Sequence, residues 1–164
     1  MLESCKNAQE RFNGVHKLID RWLAEREQLI EAYEAVKLEQ KSSNPKRKPQ
    51  KDFCVILVDY VSAGHFEIYA ELAEEAKAFN DVRALQFAQS IYPRIAVSTE
   101  AALAFHERCG NAHNPACDKL AAHFKKLGAL LDERFELEDC LIEVLHNAHK
   151  QKEVEAIQAR VLGL

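Results

Sequence analysis

Between Asp52 and Leu72 the chain reads DFCVILVDYVSAGHFEIYAEL. The run from Phe53 to Val61 is apolar except for Asp59, and Ser62, Gly64 and His65 follow before apolar residues resume. A run of this kind suits a buried strand or a buried helix. Val55, Ile56, Val58 and Val61 are β-branched and favour a strand. Length decides for the helix, because the run passes without a turn signal into EIYAELAEEAKAF, which is dense in helix formers. One helix is predicted over residues 51–79, apolar on most faces near its start and therefore central in a bundle. Asp59 and His65 on such a helix are expected to need partners, since an unpaired buried polar group is costly.

The same periodicity organises the rest. Residues 5–39 read as a long amphipathic helix with Val15, Leu18, Ile19, Trp22, Leu29, Ile30, Tyr33 and Val36 on one stripe. Arg26 falls inside that stripe. Residues 42–49 hold two prolines and no apolar side chain, which marks a loop. Asn80 and Asp81 supply a cap for a helix over residues 82–108. Pro93 lies within it, so either the helix kinks there or two helices meet. Asn114 and Pro115 start the next helix, which runs to about residue 148 with Leu120, Phe124, Leu127, Leu131, Phe135, Ile142 and Leu145 inward. A short helix over residues 153–162 is expected on the outside. The prediction is an all-α protein: a single domain over residues 1–164, an antiparallel four-helix bundle of long helices with a short extra C-terminal helix. A basic loop spans residues 41–51, and residues 148–164 form a peripheral tail helix.

Composition fits a single soluble domain. The chain has 164 residues, 48% of them hydrophobic, and a mean hydropathy of −0.32, enough for a real core. No apolar run is expected to reach bilayer-spanning length, and the N-terminal MLESCKNAQERF lacks the apolar segment of a secretory signal. A cytoplasmic protein with no membrane role is expected, its five cysteines reduced. Net charge is −4. Residues 41–51 carry five Lys/Arg and no acid, so removing their +5 from −4 leaves −9 elsewhere. An acidic helical body argues against direct nucleic-acid binding and suits a basic protein partner.

Polar residues inside apolar arcs are the first candidate site. Arg134 and Glu138, four apart, share an arc with Leu127, Leu131 and Leu145, and Arg26, Asp59 and His65 break their own stripes. Two readings stand: buried ion pairs, or the lining of a partly open, acid-lined seam for a partner helix. A second candidate is His106-x2-Cys109-x3-His113-x3-Cys117, whose alternatives are a zinc site and an ordinary loop with unrelated thiols. Only Glu143–His146 fits the Glu-x-x-His pattern of a di-iron bundle, which excludes that class. Cys54 lies in an apolar run unsuited to a nucleophile, and no Gly-rich phosphate loop is present, so no enzyme activity and no cofactor are expected. His65 as a phospho-accepting histidine is the remaining alternative, set against the reduced exposure that Phe66 and Ile68 beside it suggest.

Three segments then carry a resemblance. LVDYVSAGHFEIY (residues 57–69), HKLIDRWLAER (residues 16–26) and LDERFELEDCLI (residues 131–142) resemble, in order, the motifs of the Rsd/AlgQ family, and YPRI (residues 92–95) is similar to its aromatic-Pro segment. The likeness covers roughly residues 2–147. It does not extend to the basic loop, the His/Cys loop or the tail. The resemblance implies an all-helical anti-sigma factor that binds region 4 of the primary sigma factor, and RNA polymerase only indirectly. Region 4 is a helix-turn-helix unit that reads the promoter −35 element and docks on core polymerase. The opening segments look closer to the AlgQ branch, whose members are linked to alginate and siderophore control. On this reading Asp20, Trp22, Asp59, Ser62, His65, Phe66, Tyr69, Arg134 and Glu138 form or support the partner-binding surface. Trp22, Phe66 and Tyr69 would serve as aromatic anchors, and Asp20, Asp59 and Glu138 would meet the partner's cations. A structural role in the core is the alternative for each of them.

Overall fold

The computed structural model describes residues 8–111 and 118–163, and every regular element among them is helical. Helix α1 spans Ala8–Gln40. After a turn, α2 (Lys48–Ala63) passes through a π-helical segment, Gly64–Ile68, into α3 (Tyr69–Ala78) without a break. Helix α4 spans Val82–Asn111. Helix α5 (Asp118–Ile142) continues through a second π segment, Glu143–Asn147, into α6 (Ala148–Leu162).

Four long helical units therefore stand where the periodicity places them, with three differences at their edges. The basic loop is shorter than residues 41–51, because α2 already begins at Lys48 with Pro49 in its first turn. Proline is tolerated there, as first-turn N–H groups have no intrahelical acceptor. Pro93 neither ends nor divides α4. It and Gln89, whose carbonyl loses its usual donor, are both exposed, so water can supply the missing bond. The tail helix is not separate, since α5 runs on through the π segment into α6. The cap before α4 forms as expected: Asp81 Oδ1 accepts from the Ala84 N–H at 3.1 Å. Asn80 takes a left-handed φ of 56°, which Asn tolerates, and the Asp81 N–H reaches back to the Ala76 carbonyl at 2.8 Å, closing the end of α3.

Apolar positions on all four units meet in one core. Three layers stack along it. Tyr33, Phe53, Phe105 and Phe124 interlock at one end, with Tyr33 stacked on Phe124 at 4.2 Å. In the middle Trp22 lies flat on Tyr60 at 5.1 Å and edge-on to Tyr69. At the other end Phe12 covers His146 and Phe79 covers His149. Each buried aromatic or aliphatic side chain contributes roughly 1.5–3 kcal/mol. The inward stripe of α1 is as expected except at Ile30, which is 44% exposed.

The continuous helix Lys48–Ala78 is long and apolar enough, by length and composition, to cross a membrane. This corrects the expectation that no stretch reaches that threshold. Its apolar side is what the core uses, through Phe53, Leu57, Tyr60 and Val61. Cys54 and Cys109 meet between α2 and α4, with Cα atoms 7.2 Å apart, against the roughly 4.4–6.8 Å usual for a bridged pair. They are paired in the core, a contact the sequence reading does not anticipate. Cys140 is free and exposed.

Candidate functional site

The motif residues divide into a buried support and an exposed face. The support is built on Glu138 of α5. Its Oε1 accepts from the Tyr60 hydroxyl at 2.7 Å and from Arg26 Nη2 at 3.5 Å. Its Oε2 accepts from the Tyr69 hydroxyl at 2.5 Å and from Arg134 Nε at 3.2 Å. Arg134, one turn earlier and wholly buried, spends its other N–H groups on Ser98 and Thr99 of α4 at 3.1 and 2.7 Å and on the Tyr69 hydroxyl at 2.9 Å. Arg26 donates from Nε to Tyr60 at 3.0 Å and from Nη1 to Asp139 at 2.6 Å. Each charge is met by opposite charge and further hydrogen bonds, the condition under which buried ions are tolerated.

Titration in this cluster follows from burial. Burial pushes the Glu138 carboxyl above the usual carboxylate range, while Arg134, the two tyrosine hydroxyls and Arg26 oppose it. Four donors face this group, two of them guanidinium N–H groups and two tyrosine hydroxyls that themselves accept from those arginines, which is the arrangement of a carboxylate. Burial, and then the Glu138 charge, raise both Tyr60 and Tyr69 far above ordinary phenols. Both therefore stay protonated donors at any physiological pH.

Gly64 lets the α2 backbone close over this support. A Cβ there would lie 3.0 Å from the Tyr69 hydroxyl and 3.3 Å from Arg134 Nη2, and neither group can retreat without losing its bonds. Gly64→Ala is expected to cost about 1–3 kcal/mol through crowding, more than the roughly 1 kcal/mol that Ala gains over Gly in a helix. Urea unfolding of the variant measures the difference, and a variant as stable as wild type would remove this account of the glycine.

The exposed face lies over that support. Asp59 is exposed, Ser62 partly so, and His65 and Phe66 are exposed, Phe66 at 79%. The expectation that Asp59 and His65 need buried partners is corrected. The buried face of α2 follows Phe53, Leu57, Tyr60, Val61 and Gly64, which turns both residues outward. Phe66 packs edge-on to His65 at 4.9 Å and is more exposed than its neighbours in the sequence suggest. Glu25 of α1 is close enough to Glu67 and Asp59 for their charges to act on it. Burial first, then Glu67 and Asp59, hold its carboxyl above the usual range, with Arg21 opposing. Two acids of the central helical unit thus bear on Glu25 of α1. On the other side, His65 and Tyr69 border an apolar groove of about 700 Å³ with Ala70, Ala73, Tyr92, Pro93 and Ala96.

The remaining candidates fall elsewhere. Trp22 and Tyr69 are buried, so they shape the face from beneath. Asp20 is exposed on α1 and faces His16 at 3.8 Å. The single seam lined by Arg26, Asp59, His65, Arg134 and Glu138 does not exist, because Arg134 and Glu138 are shut inside while Asp59 and His65 point out. In the second candidate group His106 is exposed and Cys109 turns into the core against Cys54, whereas His113 and Cys117 lie outside the described residues. Among the described residues no three potential ligands converge on a metal position. Pattern reasoning missed Glu25 and Glu67, whose action on each other is tertiary, and Ser98 and Thr99, whose helical positions look like ordinary polar substitutions.

Comparison with known proteins bears on this arrangement. Residues 1–146 match the family model described as "Regulator of RNA polymerase sigma(70) subunit, Rsd/AlgQ". A protein named Regulator of sigma D from Yersinia pseudotuberculosis serotype O:1b is 32% identical over 149 residues, 87% of this chain and 88% of that protein. The Regulator of sigma D of Salmonella typhi is 32% identical over 154 residues, 90% of this chain and 93% of that protein. No solved structure matches the chain. Neither the family match nor these relatives support a phosphotransfer or metal-binding role.

Proposed function

This chain belongs to the Rsd/AlgQ family, and from that membership we propose that it is an anti-sigma regulator that binds region 4 of the housekeeping sigma factor. Holding region 4 keeps it from core RNA polymerase and from the −35 element, and shifts polymerase toward other sigma factors. The protein acts in the cytoplasm, through protein contact and without catalysis or direct nucleic-acid binding. The observation that carries this reading is the surface group of Glu25, Asp59 and Glu67, of which Asp59 is exposed and the other two partly so, with Arg21 also acting on Glu25. A helix-turn-helix unit that grips DNA phosphates is cationic, and complementary charge speeds and orients such an encounter. Phe66, exposed beside those acids, is the aromatic anchor of this face, with His65 at its groove-side edge. Asp20, set apart on α1, is an outlying contact. Trp22, Tyr69, Arg134 and Glu138 act by holding the helices under the face in register.

The bundle is read as antiparallel. From the Tyr33 layer to the Phe12 layer, residue numbers fall along α1 and α4 and rise along α2–α3 and α5–α6. That sense brings the first and last motifs, residues 16–26 and 131–142, beside the central one.

Titration calorimetry with purified region 4 tests the proposal. Saturable binding that weakens as salt rises from 0.05 to about 0.5 M is expected, because exposed charges are screened over a Debye length of about 10 Å at 0.1 M. A folded wild-type protein that fails to bind region 4 at any salt would overturn it.

A further inference from the structure

The sigma-binding proposal leaves unused a run of ionisable side chains at the far end of the bundle. We propose that His149, locked between Glu75 and Asp81, is a proton-loaded latch that holds the C-terminal helix α6 on the bundle at acidic to neutral pH and releases it as pH rises. The geometry requires the proton. His149 is wholly buried, with Nδ1 3.1 Å from Glu75 Oε2 and Nε2 2.9 Å from Asp81 Oδ2. A neutral imidazole has one N–H and one lone pair, so one nitrogen would face a carboxylate with no proton between them. Asp81 stays ionised. Despite partial burial its carboxyl lies below the usual range, because His149, the Ala84 N–H and Lys152 all favour the charge. Between two carboxylates, only the imidazolium satisfies both contacts.

The other charges facing this group balance it. Glu75 of α3 gives its second oxygen to His146 Nδ1 at 2.6 Å. His146 in turn shares a hydrogen bond at 3.0 Å with His16 Nδ1 of α1, whose other nitrogen faces Asp20. Lys152 of α6 lies 3.6 Å from Asp81, and Arg11 of α1 pairs with Glu71 of α3 at 3.3 Å. The second π segment presents His146 and then His149 to the two oxygens of the one Glu75 carboxylate. Phe79 lies flat on His149 at 4.5 Å and shields the ring from water.

Lys152 of α6 also reaches Asp81, but the buried anchor of this helix is His149. Among its described side chains His149 alone is buried, while Val154, Ile157, Val161 and Leu162 are exposed. The state of this ring therefore governs how the start of α6 is held against α3 and the α3–α4 turn. The sign follows from linkage. Burial opposes the charge on His149, but Glu75 and Asp81 outweigh it and hold the imidazole above its ordinary value of 6.5. Its stabilising contribution is complete below about 6.5 and is lost as pH rises through the raised folded-state value.

Nitrogen NMR of the full-length protein reads the latch directly. At pH 7 both ring nitrogens of His149 are expected to carry protons, and its titration to lie above that of an ordinary histidine. Hydrogen exchange, corrected for intrinsic rates, should show α6 amides losing protection between pH 6 and pH 9, while α2 amides hold theirs. In His149→Gln the α6 amides should be weakly protected at every pH. A His149 that titrates at or below 6.5, an α6 that keeps its protection at pH 9, or a folded His149→Gln variant with the wild-type profile would each overturn the latch. The ring titration needs only the wild-type protein, so it decides the matter even where the variant does not fold. The free protein is used throughout, and the outcome is independent of sigma binding.

Discussion

Glu138→Leu is expected to destabilise the fold by about 3–5 kcal/mol, the usual cost of removing one partner from a buried ion pair. The change leaves the wholly buried Arg134 guanidinium facing the neutral hydroxyls of Tyr69, Ser98 and Thr99, with the anion it pairs with at 3.2 Å gone. It also strips the Tyr60 and Tyr69 hydroxyls of their acceptor. For a chain of this length each kcal/mol moves the melting temperature by about 2–4 °C, so a fall of roughly 6–20 °C should appear in calorimetry. The double variant Arg134→Met, Glu138→Leu should recover part of the loss, because no unpaired charge remains. A Glu138→Leu protein within about 1 kcal/mol of wild type, or a double variant worse than the sum of the singles, would mean that the network does not bear on stability as described.

Reversing Glu25 and Asp59 to arginine together should weaken region 4 binding at least ~100-fold, about 2.7 kcal/mol, with most of the loss at high salt removed. Both side chains reach the surface, and placing cations opposite a cationic partner costs several kcal/mol. The fold itself should change by no more than about 0.5 kcal/mol, as for surface substitutions generally, because the two acids already oppose each other. Binding by calorimetry and stability by urea unfolding are measured on the same preparation. Undiminished affinity in a folded double variant would place the sigma contact elsewhere on the molecule. Loss of affinity in step with loss of stability would return both residues to a structural role.

The two experiments separate the layers of the site. Glu138 lies beneath the surface and reaches a partner only by holding α2, α3, α4 and α5 in register. Glu25 and Asp59 lie on the surface and contribute little to that register. A surface held this way is stiff, and under the proposed function that limits the ordering cost of binding.

The chain order of apolar and polar residues was enough to reveal four long helical units, most of the inward stripes of α1 and α5, the Asp81 cap, and a body whose acidity fits a cationic partner. Those features follow from a 3.6-residue period and from local backbone chemistry, and both are written within a few residues of each position. The three family motifs were equally legible. What the motif residues do was not. Arg134 and Glu138 read as breaks in an apolar arc, and only the folded chain shows that they pair with each other and with Tyr60 and Tyr69, 78 and 65 positions away. Asp59 and His65 read as buried and are not, because the core takes less of α2 than its composition offers. The gathering of Glu25 with Glu67, and of His149 with Glu75 and Asp81, likewise depends on helices distant in sequence coming side by side. A side chain's partners across a bundle obey no period, so tertiary packing alone decides whether a polar residue faces water, a charge or the core.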